Sequence, residues 1–131
     1  MIFQTGTYTG TGTASSGSWE WWGIKIRGTD VDPYAGHTVR WTGWVKLENV
    51  SNRLQPTIRP FNYNPTDGKT SINAKDRLAN GSALKGTQDW TQFSVTCAIP
   101  NDVNHIDIAF IFWGSGKVWI DMDSLKFEIV K

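Results

Sequence analysis

The chain has 131 residues, enough for one domain with a substantial core. Thirteen Lys and Arg stand against twelve Asp and Glu, so a net charge of +1 gives no electrostatic case for nucleic acid or an anionic membrane as partner. A single cysteine excludes an internal disulfide, and no apolar run approaches the length of a membrane span.

Residues 1–18 carry no charge, and twelve of them are Gly, Thr or Ser. They read either as a flexible leader or, because Thr alternates with Gly and Tyr, as an edge strand of weak register. The opening Met1-Ile2-Phe3-Gln4 lacks the basic-then-apolar order of a signal peptide. Residues 19–131 read as one domain.

A first strand covers Glu20–Arg27, with Trp22, Ile24 and Ile26 on one face. Gly28–Gly36 turns, with Asp32-Pro33 extended before the bend. The stretch His37–Leu47 alternates Val39, Trp41, Gly43 and Val45 against Arg40, Thr42, Trp44 and Lys46. The stretch Arg53–Tyr63 alternates Leu54, Pro56, Ile58 and Pro60 against Gln55, Thr57, Arg59 and Phe61; its two prolines place it near an edge or a bulge. Residues 64–89 read as a long irregular loop with Asp67-Gly68 and Asn80-Gly81 turns. Three alternating stretches close the chain, over Trp90–Ile99, His105–Trp113 and Val118–Val130, separated by Pro-Asn-Asp and Gly-Ser-Gly breaks. No helix longer than a turn is expected. About seven short strands with turns between them predict an all-β sandwich or barrel.

The residue types for catalysis are missing from their usual patterns. No nucleophile elbow, zinc helix, paired cysteines or phosphate loop occurs, His37 and His105 lie far apart at strand entries, and no carboxylate pairs as acid and base across a bond. The chain is therefore expected not to be an enzyme. Cys97 falls in the apolar row of its strand and reads as a small buried hydrophobe.

Eight tryptophans exceed what a core of this size needs, so some are expected at a surface. The polar-parity rows carry Arg40, Trp44 and Lys46, then Gln55, Thr57, Arg59, Phe61 and Tyr63, then Asp107 and Trp113. Aromatic rings beside amide, hydroxyl, carboxylate and guanidinium groups suit a sugar, whose C–H face packs on a ring while its hydroxyls take in-plane hydrogen bonds. These ten residues are the expected ligand-binding set. The other reading of the same face is contact with another protein chain.

Three stretches also resemble β-sandwich carbohydrate-binding modules of the families four and nine type: Asp32-Pro33-Tyr34-Ala35-Gly36-His37-Thr38-Val39-Arg40-Trp41-Thr42-Gly43-Trp44-Val45-Lys46, Gly86-Thr87-Gln88-Asp89-Trp90-Thr91-Gln92-Phe93, and Gly116-Lys117-Val118-Trp119-Ile120-Asp121-Met122-Asp123-Ser124-Leu125. The resemblance implies a jelly-roll β-sandwich of two antiparallel sheets. It implies that the stretches 37–47, 53–63 and 105–113 share a concave sheet that binds polysaccharide or oligosaccharide, and that Trp90 and Trp119 pack structurally. It also implies a structural calcium held by Asp121 and Asp123, although Met122 stands where the family has its second aspartate and the family's opening strand is missing. Phe3-Gln4-Thr5-Gly6-Thr7 resembles the start of similar modules in phage tail and baseplate proteins. The implied setting is a module appended to a larger secreted or virion protein, extracellular or on the virion surface. The alternative is a structural or assembly module of a phage tail.

Overall fold

A computed structural model describes residues 7–13, 19–64, 66, 69–70 and 79–130. The Phe3–Gly6 part of the phage-like opening, the Asp67-Gly68 turn and the segment 71–78 lie outside them. The strands are β1 (Thr7–Thr13), β2 (Trp19–Arg27), β3 (Thr38–Phe61), β4 (Tyr63–Asn64), β5 (Lys69–Thr70), β6 (Ala79–Asn80), β7 (Leu84–Ala98), β8 (His105–Trp113) and β9 (Ser115–Val130). A 3-10 turn, Gly28–Val31, follows β2. Among the described residues no helix is long and apolar enough to cross a membrane.

All the ladders are antiparallel, and those outside the small β4–β5 ribbon join into one continuous sheet. The sheet is a set of long strands that each bend midway. The stretches 37–47 and 53–63, read from sequence as separate strands, are one 24-residue strand, β3. Its first half pairs with β7 on one side and β9 on the other, and its second half pairs with β6 and β8. The sheet folds onto itself at this bend, giving two layers: β1–β9–β3–β7 and β2–β8–β3–β6. This is the expected all-β jelly-roll sandwich.

The bend has local causes. Asn49 takes a left-handed conformation (φ 54°), and opposite it Gly114 and Gly116 take φ 92° and 138°. A Cβ on Gly116 would stand 2.6 Å from the Asn49 carbonyl oxygen, so only glycine lets the two strands close here. The Ser115 N–H donates to Ser51 Oγ (2.8 Å) and pins the two bends together. The bend also reverses side-chain parity along β3. Odd residues 39–47 are buried before it, and Leu54, Pro56, Ile58 and Pro60 after it.

Trp41 of the first layer is fully buried, with its ring 4.8 Å from Phe93 and 4.7 Å from Phe110 of the facing layer. Burial of each such ring is worth about 2–3 kcal/mol. The prolines fit β3 through a directional feature. The Gly81 N–H donates to the Pro56 carbonyl, so the Pro56 backbone faces the β6 side, and Pro60 shares that parity. β6 pairs only Thr57 and Ile58, so the missing proline donors face the short flank of β3, away from β8.

One reading is corrected. The segment 64–89 is not loop throughout, since β7 begins at Leu84, six residues before Trp90. Its first turn is polar and bulged in register, which hides it from a periodicity count. The segment 1–18 contains β1, which pairs with β9 at the edge of its layer.

Candidate functional site

Because the sheet folds on itself, residues whose side chains point away from the core lie on two opposite outer faces. This divides the expected ligand-binding set. Arg40, Trp44 and Lys46 precede the bend and lie on the outer face of the β1–β9–β3–β7 layer. Gln55, Thr57, Arg59 and Phe61 follow it and lie, with Asp107 and Trp113, on the outer face of the β2–β8–β3–β6 layer. The single concave sheet implied by the resemblance is corrected accordingly: the parity reversal at Asn49 separates the 37–47 stretch from the other two.

On the second face the register sets side chains in rows across the strands. Arg27, His105 and Phe61 form one row; Lys25, Asp107 and Arg59 the next; Gly23, Ala109 and Thr57 the third. Ile111 pairs with Gln55, and Trp113 with Arg53. From the His105 row to the Trp113 row the face runs about 27 Å, eight strand residues.

Its middle is closed to solvent. Thr57 and Ala109 are 2% and 0% exposed, and the Thr57 hydroxyl donates to the Ala79 carbonyl (3.1 Å). Gln55 Nε2 donates to the Gly81 carbonyl. Both side chains thereby tie β6 and its following turn to the sheet.

The ends carry the chemistry. At one end the Arg53 guanidinium stacks over the half-buried Trp113 ring at 4.0 Å. At the other, Arg59 Nη2 donates to Asp107 Oδ2 (3.0 Å), and the Arg59 guanidinium lies 4.7 Å above the Phe61 ring. The side chain of Asp107 is 6% exposed and that of Arg59 41%. Asp107 Oδ1 and Arg59 Nε are buried without a hydrogen-bond partner. A buried acceptor left unmade costs on the order of 1–3 kcal/mol, so this carboxylate favours any donor that reaches it.

Next to the pair, the His105 ring stacks on Phe61 (5.0 Å) and meets Tyr63 edge-on (5.7 Å). Asn104 Oδ1 accepts from the Tyr63 N–H (2.9 Å) and lies 2.6 Å from His105 Nδ1, so that nitrogen carries the proton. Desolvation first, then the positive field of Arg27, lowers the His105 pKa from its ordinary value; Lys25 acts the same way and Asp107 opposes them.

On the first face Trp44 is 41% exposed, flanked in register by Gln92 and Asp121. Arg40 pairs in register with Glu128. Lys46 Nζ sits 5.5 Å from the half-buried Trp119 ring. Trp90 is 42% exposed, so the expectation that it packs structurally is corrected. The β7 bulge turns it outward, a distortion with no sequence signature beyond the polar run before it.

Asp121 and Asp123 serve a bulge. Between Asp121 and Lys126, four residues of β9 oppose the single Gly43 of β3. Asp121 Oδ1 accepts the Asp123 N–H (3.2 Å), while Ser124 Oγ accepts the Trp44 N–H (2.9 Å) and donates to the Asp121 carbonyl (2.7 Å). Leu125 fills the space over Gly43, where a Cβ would approach it to 2.6 Å. Among the described residues no three His, Cys, Asp or Glu side chains converge, whereas calcium takes six to eight oxygens. The pair therefore does not fit calcium by its carboxylates alone.

No protein-family model matches the sequence, nor does any curated protein. Among solved structures, the chain is similar to the enzymatically active domain of tailspike protein 4 of bacteriophage CBA120, with 11% identity and a TM-score of 0.61. The likeness covers 95% of this chain and 18% of that one, so this chain spans less than a fifth of the tailspike's length. The two share an all-β fold. The match overturns the expectation that the chain is not an enzyme: the same fold recurs inside an enzymatically active domain, and missing sequence patterns do not exclude catalysis.

Proposed function

We propose that the chain is a glycan-recognising β-sandwich of a phage tail-type protein, exposed on the virion surface and part of a larger polypeptide. The observation that carries this reading is the outer face of the β2–β8–β3–β6 layer. There a buried Asp107 carboxylate, with one oxygen on Arg59 and the other unpartnered, lies between Trp113 at one end and Phe61, Tyr63 and His105 at the other. Aromatic rings offer area to sugar C–H faces, and the half-exposed Arg59 side chain, held in place by Asp107, donates to hydroxyls. The resemblance to carbohydrate-binding modules and the fold shared with a phage tailspike support the same reading. Affinity is modest, because sugar hydroxyls exchange water bonds for protein bonds with small net gain.

Affinity electrophoresis through polysaccharide gels tests it, after a glycan array has chosen the polymer. Trp113→Ala is expected to lose retardation with little change in melting temperature, while Trp44→Ala, on the opposite face, keeps it. The reverse pattern would move the site to the other face and defeat this reading.

A second reading is favoured by the exposure of Trp44 and Trp90 on the first face. Two large exposed rings suit an assembly contact with another chain or with a neighbouring domain of the same tail protein. Sedimentation of the wild type above monomer mass, reverting to monomer in Trp44→Ala, would support it.

A further inference from the structure

β2 ends the second layer. Among the described residues it pairs only with β8, in unbroken register from Trp19 to Arg27, with no bulge and no proline. Its other edge therefore presents a row of backbone N–H and C=O groups, which natural edges usually hide by bulging, by shortness or under a loop.

A cavity of about 540 Å³ lies against this edge, a volume within the range of about 300–1,000 Å³ usual for ligand pockets. Three successive strand residues line it, Ile24, Lys25 and Ile26. Successive side chains of a strand point to opposite faces, so a cavity that meets all three runs past the edge itself. The far wall is the turn that follows β2, through Thr29, Asp30, Pro33 and Tyr34. Hydrogen bonds hold that wall in place. The Tyr34 and Ala35 N–H groups donate to the Val31 carbonyl (2.9 and 3.2 Å), and the Asp32 N–H donates to the Thr29 carbonyl (3.1 Å). The Tyr34 ring packs on Phe127 of the other layer (4.9 Å). Ile24, Ile26 and Tyr34 belong to or pack against the core, and they give the cavity an apolar floor. The cavity is thus preformed, which lowers the ordering cost of filling it.

We infer that this cavity is a docking site for an extended segment of a partner polypeptide, which adds to the sheet as a strand beside Ile24–Ile26 and sets one apolar side chain on the floor. Backbone donors and acceptors repeat along the edge about every 6.8 Å, two residues, and another extended backbone matches that repeat where a sugar ring does not. The turn stands beside the edge. A single segment fits between the two, whereas the edge of a second sheet, backed by its own layer, is held off.

Panning a displayed library of random linear peptides on the full chain tests the site. Enriched sequences are expected to alternate apolar and polar residues. A synthetic copy of the most enriched one should bind in fluorescence anisotropy. Methylating one alternate set of its backbone nitrogens should weaken binding roughly tenfold or more, by the loss of about two ladder hydrogen bonds, while methylating the other set, which faces away, is tolerated. Thr29 is an exposed residue of the wall, so Thr29→Trp fills the cavity from outside the core. It is expected to abolish enrichment and peptide binding at an unchanged melting temperature, and Thr29→Ser to keep both. No enrichment on the wild type, equal enrichment on Thr29→Trp, or equal sensitivity to the two methylated sets would overturn the inference. Self-association of the wild type that is lost in Thr29→Trp would make the occupant a second copy and overturn it as well.

Discussion

Removing either member of the Arg59–Asp107 pair breaks the same 3.0 Å bond, yet the two losses are expected to differ. The side chain of Arg59 is 41% exposed, so without Asp107 it turns to water. Asp107→Ala then costs about 1 kcal/mol or less, the worth of a half-exposed pair, and it also removes an oxygen already buried without a partner. The side chain of Asp107 is 6% exposed and has no route to water. Arg59→Ala leaves a buried carboxylate without the cation bonded to it, which costs on the order of 3 kcal/mol. With an unfolding entropy of about 2 cal/mol/K per residue, that is a fall of roughly 11 °C in melting temperature for Arg59→Ala and under about 4 °C for Asp107→Ala. The double variant should be more stable than Arg59→Ala alone, because the stranded charge is gone. Urea unfolding of the three variants gives the free energies directly. A loss in Asp107→Ala equal to or greater than that in Arg59→Ala would refute the assignment of the burial cost to the carboxylate.

At the bend, Gly116→Ala is expected to lose roughly 2 kcal/mol or more, since the new Cβ would meet both the Asn49 carbonyl oxygen (2.6 Å) and Val50 Cα (2.8 Å) at φ 138°. Gly28→Ala, also at positive φ but with nothing within 4 Å, should lose only about 1 kcal/mol, and equal urea midpoints for the two would show that the bend is not tight. Burial pushes the Cys97 thiol up to about 11, so iodoacetamide at about pH 8 should alkylate it only after urea unfolding. Labelling of the native protein at the rate of a free thiol would show that the strand opens.

Strand alternation made the core legible in the sequence. Trp41, Phe93 and Phe110 fall on apolar parities and meet in the middle of the sandwich. The division of the site was not legible. Glu48-Asn49-Val50-Ser51-Asn52 reads as a turn between two strands, and only its register against Gly114–Gly116 reveals one bent strand with reversed parity. Asp107 reads as a solvent-facing charge, because periodicity assigns a face but not whether that face is covered. The closing aspartates resemble a metal motif; a bulge of β9 accounts for their position, and it is fixed by long-range pairing with Gly43.

The pairing of β1 with β9 and of β2 with β8 bears on how the chain folds. The first strands of the sequence find their partners only in its last 27 residues. A chain emerging from the ribosome can zip β3 against β7, but the ribbon that begins at Thr7 has nothing to pair with until β9 has been made. Folding of this kind is slow for the chain's length and exposes unpaired strand edges on the way. Truncation near Gly114, though it removes only β9, would also strand β1, leaving both flanks of one layer open to association with other chains.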